Sequence, residues 1–490
     1  MDFLDPQKQK RHAVVLSIGY VLMGIMLILA TTILLYQSYG YWVDKDGRVI
    51  QNGLLFVSSH PEGADAYVNG RKYKDNTNTK MRLPSGQYVV ELRREGYQTW
   101  KRVMTVEGGG VERFDYPFLF PIQLNTTVVK QYSDAPSLST ESPDRRWLLL
   151  ATSKQNTFDL YDLNSKEPIP RTLTIANDIL AAGSTTSGWQ LVDWAGDNRH
   201  VLLRRLYKLS DKSGREYVML DTENPTLSQN LSVALGFTPA AINLRGRAFD
   251  KYYAFDKANA QLFTASLGQA APQLYASNVL AFASEGDVVV YATSEGAPDG
   301  KVLVKVRKGA ELPLTVRQVP AGTNILLEMA VYNHSLFLAA GATSENRVFL
   351  YRDPVDKLKD EPSQPLAPIQ ILKVFGPSSI SFSANKRFLI AENSDLFAVY
   401  DAETDRSYAY QAKVPLDKPQ TRATWMDGFR LSYVSGGKVV VFDFDGINMT
   451  TLSPASPNYL PIFDRSYRYM YTLDTGNNLT RVPLLTTEDL

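Results

Sequence analysis

The hydrophobic pattern divides the chain into three stretches. The 24 residues from Ala13 to Tyr36 carry no charge and are mostly large and apolar. At ~1.5 Å rise per residue they span about 36 Å as a helix, enough to cross a hydrocarbon layer of about 30 Å with some tilt. From Gly53 to Phe118, strand-like runs alternate with Gly-containing turns, which predicts a small β domain over 53–120. Beyond Phe120-Pro121 no long helical period occurs. Short runs rich in Val, Leu, Tyr and Phe between polar turns predict strands throughout 121–490.

The flanks of the apolar run set its orientation. Lys8, Lys10, Arg11 and His12 precede it, whereas Asp44, Lys45 and Asp46 follow with no cationic excess. The positive-inside rule therefore puts residues 1–12 in the cytoplasm and the later domains outside, extracellular or periplasmic, behind a single plasma-membrane pass. Tyr36, Tyr39, Tyr41 and Trp42 cluster at the far end, where amphipathic rings settle at headgroup level. A secretory signal has a shorter apolar region ending in a small-residue cleavage site, so residues 13–36 are expected to be an uncleaved signal anchor in contact with the lipid bilayer. Gly19 and Gly24 are five apart and do not form the close-packing dimer motif.

Tyr41-Trp42-Val43 and Arg48-Val49-Ile50 flank Asp44-Lys45-Asp46-Gly47, a predicted hairpin within a linker over 37–52. The Asp-x-Asp-Gly spacing lacks the further carboxylates a calcium loop needs, so a turn is expected there and at Asp443-Phe444-Asp445-Gly446. In the small domain, Pro61-Glu62-Gly63-Ala64 reads as a turn, Asn69-Gly70 as a type I′ hairpin, and Leu83-Pro84-Ser85-Gly86 as a strand opening. Tyr88, Val90 and Leu92 then share one face, and Glu95-Gly96-Tyr97 turns the chain again. This ordered set, beginning at Gly53-x-Leu55-x-Val57-x-Ser59-x-Pro61, resembles the PEGA domain, a small β-sandwich-like module of bacterial and archaeal surface proteins. The resemblance implies that Pro61, Glu62, Gly63, Ala64, Asn69, Gly70, Gly86, Gly96 and Tyr97 are structural motif residues. His60 and Glu62, two residues of one exposed turn without a third orienting group, make no acid-base pair.

The remaining chain repeats. A turn bearing Asp or Asn precedes an apolar strand at Asp144, Asp197, Asp250, Asp287, Asn333, Asn385, Asp427 and Asp464, with spacings of 53, 53, 37, 46, 52, 42 and 37 residues. Several units carry a later strand ending in Asp, at Asp162, Asp221, Asp401 and Asp443. The period fits the roughly 40–50 residues of one four-stranded propeller blade and predicts a ring of about eight blades, seven being possible; two successive β-sandwiches are the alternative. Ser142-Pro143-Asp144-Arg145-Arg146-Trp147-Leu148 resembles the opening of the WD40-like repeat of periplasmic, TolB-like propellers, with Arg145 where that family usually has Gly. The expected fold is thus mainly β: one transmembrane helix, a PEGA sandwich and a propeller.

Composition narrows the function. The 52 basic and 51 acidic residues are interspersed and give a net charge of +1, which argues against nucleic acid as a partner. With no cysteine, disulfides, thiolate metal sites and a Cys nucleophile are excluded, which fits export from a bacterium, although five Asn-x-Ser/Thr sequons occur. His12, His60, His200 and His334 show no metal-ligand spacing, and neither a Gly-x-Ser-x-Gly elbow nor a phosphate loop is present. No catalytic, cofactor-binding or metal-binding residue is therefore expected. Thr472-Leu473-Asp474-Thr475-Gly476 resembles a sialidase Asp-box turn but more simply closes a hairpin. The expected function is a non-catalytic, membrane-anchored cell-envelope protein whose PEGA spacer presents the propeller as a protein- or glycan-binding platform. The alternative is a propeller glycoside hydrolase or lyase acting on envelope glycan through paired carboxylates in the funnel. Leu206–Arg215 and Val355–Pro365 read as charged loops, and Trp100, Trp189 and Trp194 as core or sugar-stacking residues.

Overall fold

The computed structural model describes residues 6–43, 47–210, 212–269, 271–361, 364–420, 422–486 and 489. The chain forms two compact units that divide between Gln123 and Leu124. The first opens with the helix Pro6–Ser38. Its large apolar side chains from Val14 to Tyr36 are 46–68% exposed, so no protein core covers them. The Thr31 and Thr32 hydroxyls donate back to the carbonyls of Leu27 and Ile28 at 2.8 Å, which satisfies within the helix the polar groups that lipid would leave bare.

The predicted hairpin forms, with Trp42 opposite Ile50. Its turn, Asp44-Lys45-Asp46, lies outside the described residues, and the calcium question lies there with it. Residues 37–52 are not a separate linker. The strand Val49–Val57 continues unbroken from the hairpin into the domain, so Tyr41–Val43 is an edge strand of the domain's own sheet. That sheet also holds Thr79–Pro84 and, parallel to Val49–Val57, Val111–Phe114. A second sheet runs Arg71–Asn76, Asp65–Val68, Gly86–Arg93, Trp100–Val106. The sheets pack face to face through Leu55, Val57, Met81, Val90, Leu92 and Trp100, the Trp100 ring meeting Phe114 edge-on at 5.7 Å. Gly53 cannot be replaced without displacement, because a Cβ there would lie 2.4 Å from the Glu107 carbonyl.

In the second unit, eight four-stranded antiparallel sheets follow one another among the described residues. Each of the eight repeated Asx turns stands just before the second strand of one sheet, from Trp147–Ala151 after Asp144 to Tyr469–Leu473 after Asp464. Hydrogen bonding explains the recurrence. Asp144 accepts from the Ser142 hydroxyl and the Arg146 amide, Asp197 from the amides of Arg199 and His200, Asn385 from Ser383 and Arg387, and Asp427 from the amides of Phe429 and Arg430. Arg145 adopts φ 58°, in the left-handed region, which is why glycine suits that position. The second strands read as continuous apolar runs because neighbouring sheets cover both faces, as at Val288–Thr293, buried along its whole length.

The ring is closed by packing and by pairing. Shared apolar clusters join the first sheet to the second, and so on through the sixth. Phe388 of the sixth sheet stacks on Phe444, just after the third strand of the seventh, and Phe397 meets Phe442 of the seventh edge-on. The seventh meets the eighth where the Thr472 hydroxyl donates to the Pro454 carbonyl. Tyr161 and Leu150 of the first sheet share a core with Tyr471 and Leu479 of the eighth. The outer strand of that last sheet is Thr127–Gln131, from the start of the unit, paired with Asn478–Pro483. The first and last strands of the unit are thereby tied into one sheet and an open edge is removed.

Three of the aspartates that end third strands, Asp162, Asp221 and Asp401, clamp the arginines two residues after the Asx turns. Arg387 donates to both carboxylate oxygens of Asp401 at 2.7 Å, and Asp401 also accepts from the Glu403 amide and the Thr404 hydroxyl. Arg146–Asp162 repeats the pair at the surface, where the side chains are 47% and 30% exposed against 23% and 2%. Asp401→Ala is expected to lose about 3 kcal/mol because it strands a half-buried guanidinium, whereas Asp162→Ala is expected to lose about 1 kcal/mol or less. Urea unfolding of the two variants checks the difference.

Two expected loops are ordered elements. Leu206–Arg215 is the end of a β-hairpin whose strands, His200–Leu209 and Lys212–Asp221, stay paired to Leu209–Lys212. Val355–Pro365 begins as the helix Pro354–Asp360, which buries Val355 and Leu358 against the fourth and fifth sheets; residues 362–363 are outside the described set.

Candidate functional site

The first strands of neighbouring sheets touch one another, as Val279–Glu285 touches Ile325–Tyr332 and the latter Ser379–Phe382, so they line the inside of the ring. Charges from distant parts of the chain converge there. Burial pushes the Asp193 carboxyl up, opposed by Arg247, the Trp194 amide and Lys386. Burial likewise raises Glu328 to about 7, with Lys386 the main opposing charge. The second, third, fifth and sixth sheets thus contribute to one mixed-charge centre. Glu328, raised to about 7, can exchange a proton there at physiological pH.

Glu392 is more deeply enclosed. Its Oε2 accepts from the Ala423 amide at 2.8 Å, while Oε1 has no hydrogen-bond partner among the described residues. Burial lifts this carboxyl from 4.5 to about 8, against the opposing Ala423 amide and Arg422. Folding therefore takes up a proton between about pH 4.5 and 8. The stability gained from the neutral acid is complete below pH 4.5 and is lost as pH rises through about 8. Glu392→Gln is expected to flatten the fall in melting temperature over that interval, checked by thermal melts at stepped pH.

A groove of about 770 Å³ lies on the second sheet. Its walls are Ile179–Ala182, the hairpin residues Tyr207, Arg215 and Glu216, and the segment from the short helix Leu231–Leu235 to Thr238. The floor is a satisfied ion pair. Arg205, 1% exposed, donates to Glu216 at 2.5 Å and to Thr186 at 2.7 Å, while Glu216 accepts from Asn230 at 2.6 Å. Such a network fixes the shape of the groove.

Residues 52–118 match the PEGA domain family. Within this PEGA module Pro61 and Ala64 are buried and Glu62 and Gly63 exposed, and the turn is pinned to Thr77. The Gly63 amide donates to the Thr77 carbonyl at 3.0 Å, and the Ala64 amide to the Thr77 hydroxyl at 2.9 Å. Asn69 and Gly70 both have positive φ, 48° and 78°, as a type I′ turn requires, and Asn69 accepts from the Val89 amide. Gly96 also has positive φ, Gly86 begins a strand, and Tyr97 is 4% exposed. His60 packs on the Phe118 ring at 4.9 Å rather than meeting Glu62. Comparison with curated proteins gives no match. Among solved structures, Hsv2 of Kluyveromyces lactis is 9% identical, with 66% of this chain and 98% of that chain covered and a TM-score of 0.40. The computationally designed Ika8 protein is 11% identical, with 73% and 98% covered and a TM-score of 0.43.

Trp100, Trp189 and Trp194 are at most 3% exposed and serve as core. Asp474 accepts from the amides of Gly476 and Asn478 and closes the last hairpin, so the Asp-box likeness is a turn. Among the described residues no group of His, Asp and Glu is arranged to hold a metal. The axial acids and the groove were not legible in sequence. Asp193 and Lys386 lie in different repeats, and the groove depends on a hairpin whose charges hide its alternation.

Proposed function

We propose that this is a non-catalytic, membrane-anchored protein of a bacterial cell envelope, in which the PEGA module spaces a TolB-like propeller of eight blades from the bilayer and the propeller binds an envelope protein or glycan. The carrying observation is the helix Pro6–Ser38, whose large apolar side chains from Val14 to Tyr36 are 46–68% exposed beside units with cores of their own. Water would penalise that surface by about 25 cal/mol per Å², and a bilayer removes the penalty. Lys8, Lys10 and Arg11 before the span favour a cytoplasmic N-terminus. Deleting residues 124–490 is expected to leave the remainder in the membrane and abolish co-purification of envelope partners from crosslinked cells. Unchanged partner recovery overturns the reading.

The axial acids favour a second reading, a glycoside hydrolase or lyase acting on envelope glycan. A general acid must hold its proton near neutrality, and Glu328, at about 7, has that property. Turnover of envelope glycan by the full chain, lost in Glu328→Gln, supports this reading; no turnover by the wild type removes it.

A further inference from the structure

The third strand of the second sheet outruns its outer neighbour. Lys212–Asp221 is ten residues long, whereas Gln229–Asn230 pairs only with Val218 and Met219. In the antiparallel register with His200–Leu209, even-numbered residues of Lys212–Asp221 bond to the inner strand and odd-numbered ones turn their backbone groups outward. Two outward amides are capped, Tyr217 by the Ser232 hydroxyl at 3.0 Å and Asp221 by the Ser228 hydroxyl at 3.1 Å. The outward N–H and C=O of Ser213 and Arg215 have no partner among the described residues. This stretch of open edge borders the groove, where Val233 is 74% exposed.

Charge selects the occupant. Lys208, Lys212 and Arg215 are exposed and make no ion pair among the described residues, while the Glu216 carboxylate is committed to Arg205. Asp178 on the far wall is the opposing charge that lines the groove. We propose that this edge takes, by strand addition, an extended segment of a partner protein in which carboxylates alternate with apolar side chains. Main-chain bonds to Ser213 and Arg215 supply the register, Lys208 and Arg215, which share one face of the hairpin, receive the carboxylates, and the groove receives apolar side chains. The inference rests on the platform reading only in assuming a partner protein.

The probe is a fluorescent ten-residue peptide of alternating Val and Glu, titrated against the full chain in detergent and followed by anisotropy. Saturable binding that weakens with added salt is expected. Arg215→Pro removes the outward amide at an edge position where proline is tolerated, and should weaken binding at least tenfold; Arg215→Gln, which keeps the amide, should weaken it less. A wild-type measurement independent of folding uses the same peptide N-methylated at alternate residues, expected to bind at least tenfold more weakly. Equal binding of the methylated peptide, equal binding of a Val-Lys peptide, displacement by a uronic acid polymer with no loss from N-methylation, or edge-to-edge dimers that exclude the probe each overturn the proposal. Partner recovery from cells that persists while the probe fails to bind overturns this inference and leaves the platform standing.

Discussion

Truncating the chain after Asn477 is expected to abolish cooperative unfolding of the second unit. The cut removes Asn478–Pro483, the bridge between Tyr469–Leu473 and Thr127–Gln131. It also deletes Leu479, Val482, Leu484 and Leu485, each at most 5% exposed. At roughly 2–3 kcal/mol for each buried aliphatic side chain, the loss is about 10 kcal/mol, comparable with the whole stability of an ordinary domain. Tyr469–Leu473 and Thr127–Gln131 both lose the strand that paired them and are left as unpaired edges, so aggregation should accompany the loss. Shortening the tip Lys208–Ser213 to a two-residue turn removes four residues and should leave the melt nearly unchanged, since every described residue of that tip is exposed. A sharp, unshifted thermal transition in the chain cut after Asn477 would show that the ring does not depend on its closing strand.

The contrast between those deletions also marks what the sequence made readable. The Asx turns were legible because a short side-chain acceptor is needed where the chain reverses before each second strand, and the need recurs in every sheet. The aspartates at 162, 221 and 401 were visible as a pattern, but their partners were not. Arg146, Arg199 and Arg387 lie 14–22 residues from their carboxylates in sequence, and pairing appears only when second and third strands align. Charged residues misled in two places. Lys208, Lys212 and Arg215 made a paired hairpin look like a loop, because an edge exposed on both faces has no reason to alternate hydrophobicity. In Pro354–Asp360 the signals were present: Pro354 at the first helical position, and Val355 and Leu358 three apart on the buried side. The groove floor escaped for a different reason. A buried Arg205–Glu216 pair has the same composition as a solvated one, and only the surrounding Thr186, Ser184 and Asn230 distinguish them.

The apolar helix yields the second large effect. Replacing Met23 and Leu27 together by arginine puts two guanidinium groups near the middle of the uncharged run, one turn apart on the same helix face. At about 2.5–3.5 kcal/mol for each central arginine, the pair costs roughly 5–7 kcal/mol of insertion free energy. Snorkelling cannot recover it, because both positions lie several turns from either end of Pro6–Ser38. The wild type is expected in the carbonate-resistant membrane pellet and the double variant in the soluble or aggregated fraction. The aqueous units should be untouched, since the helix lends none of its large apolar side chains to their cores. A protease-resistant second unit in both forms would show that insertion alone had changed. Wild-type protein extracted by carbonate, or a double variant retained in the pellet, would mean that a surface 46–68% exposed is covered by something other than lipid.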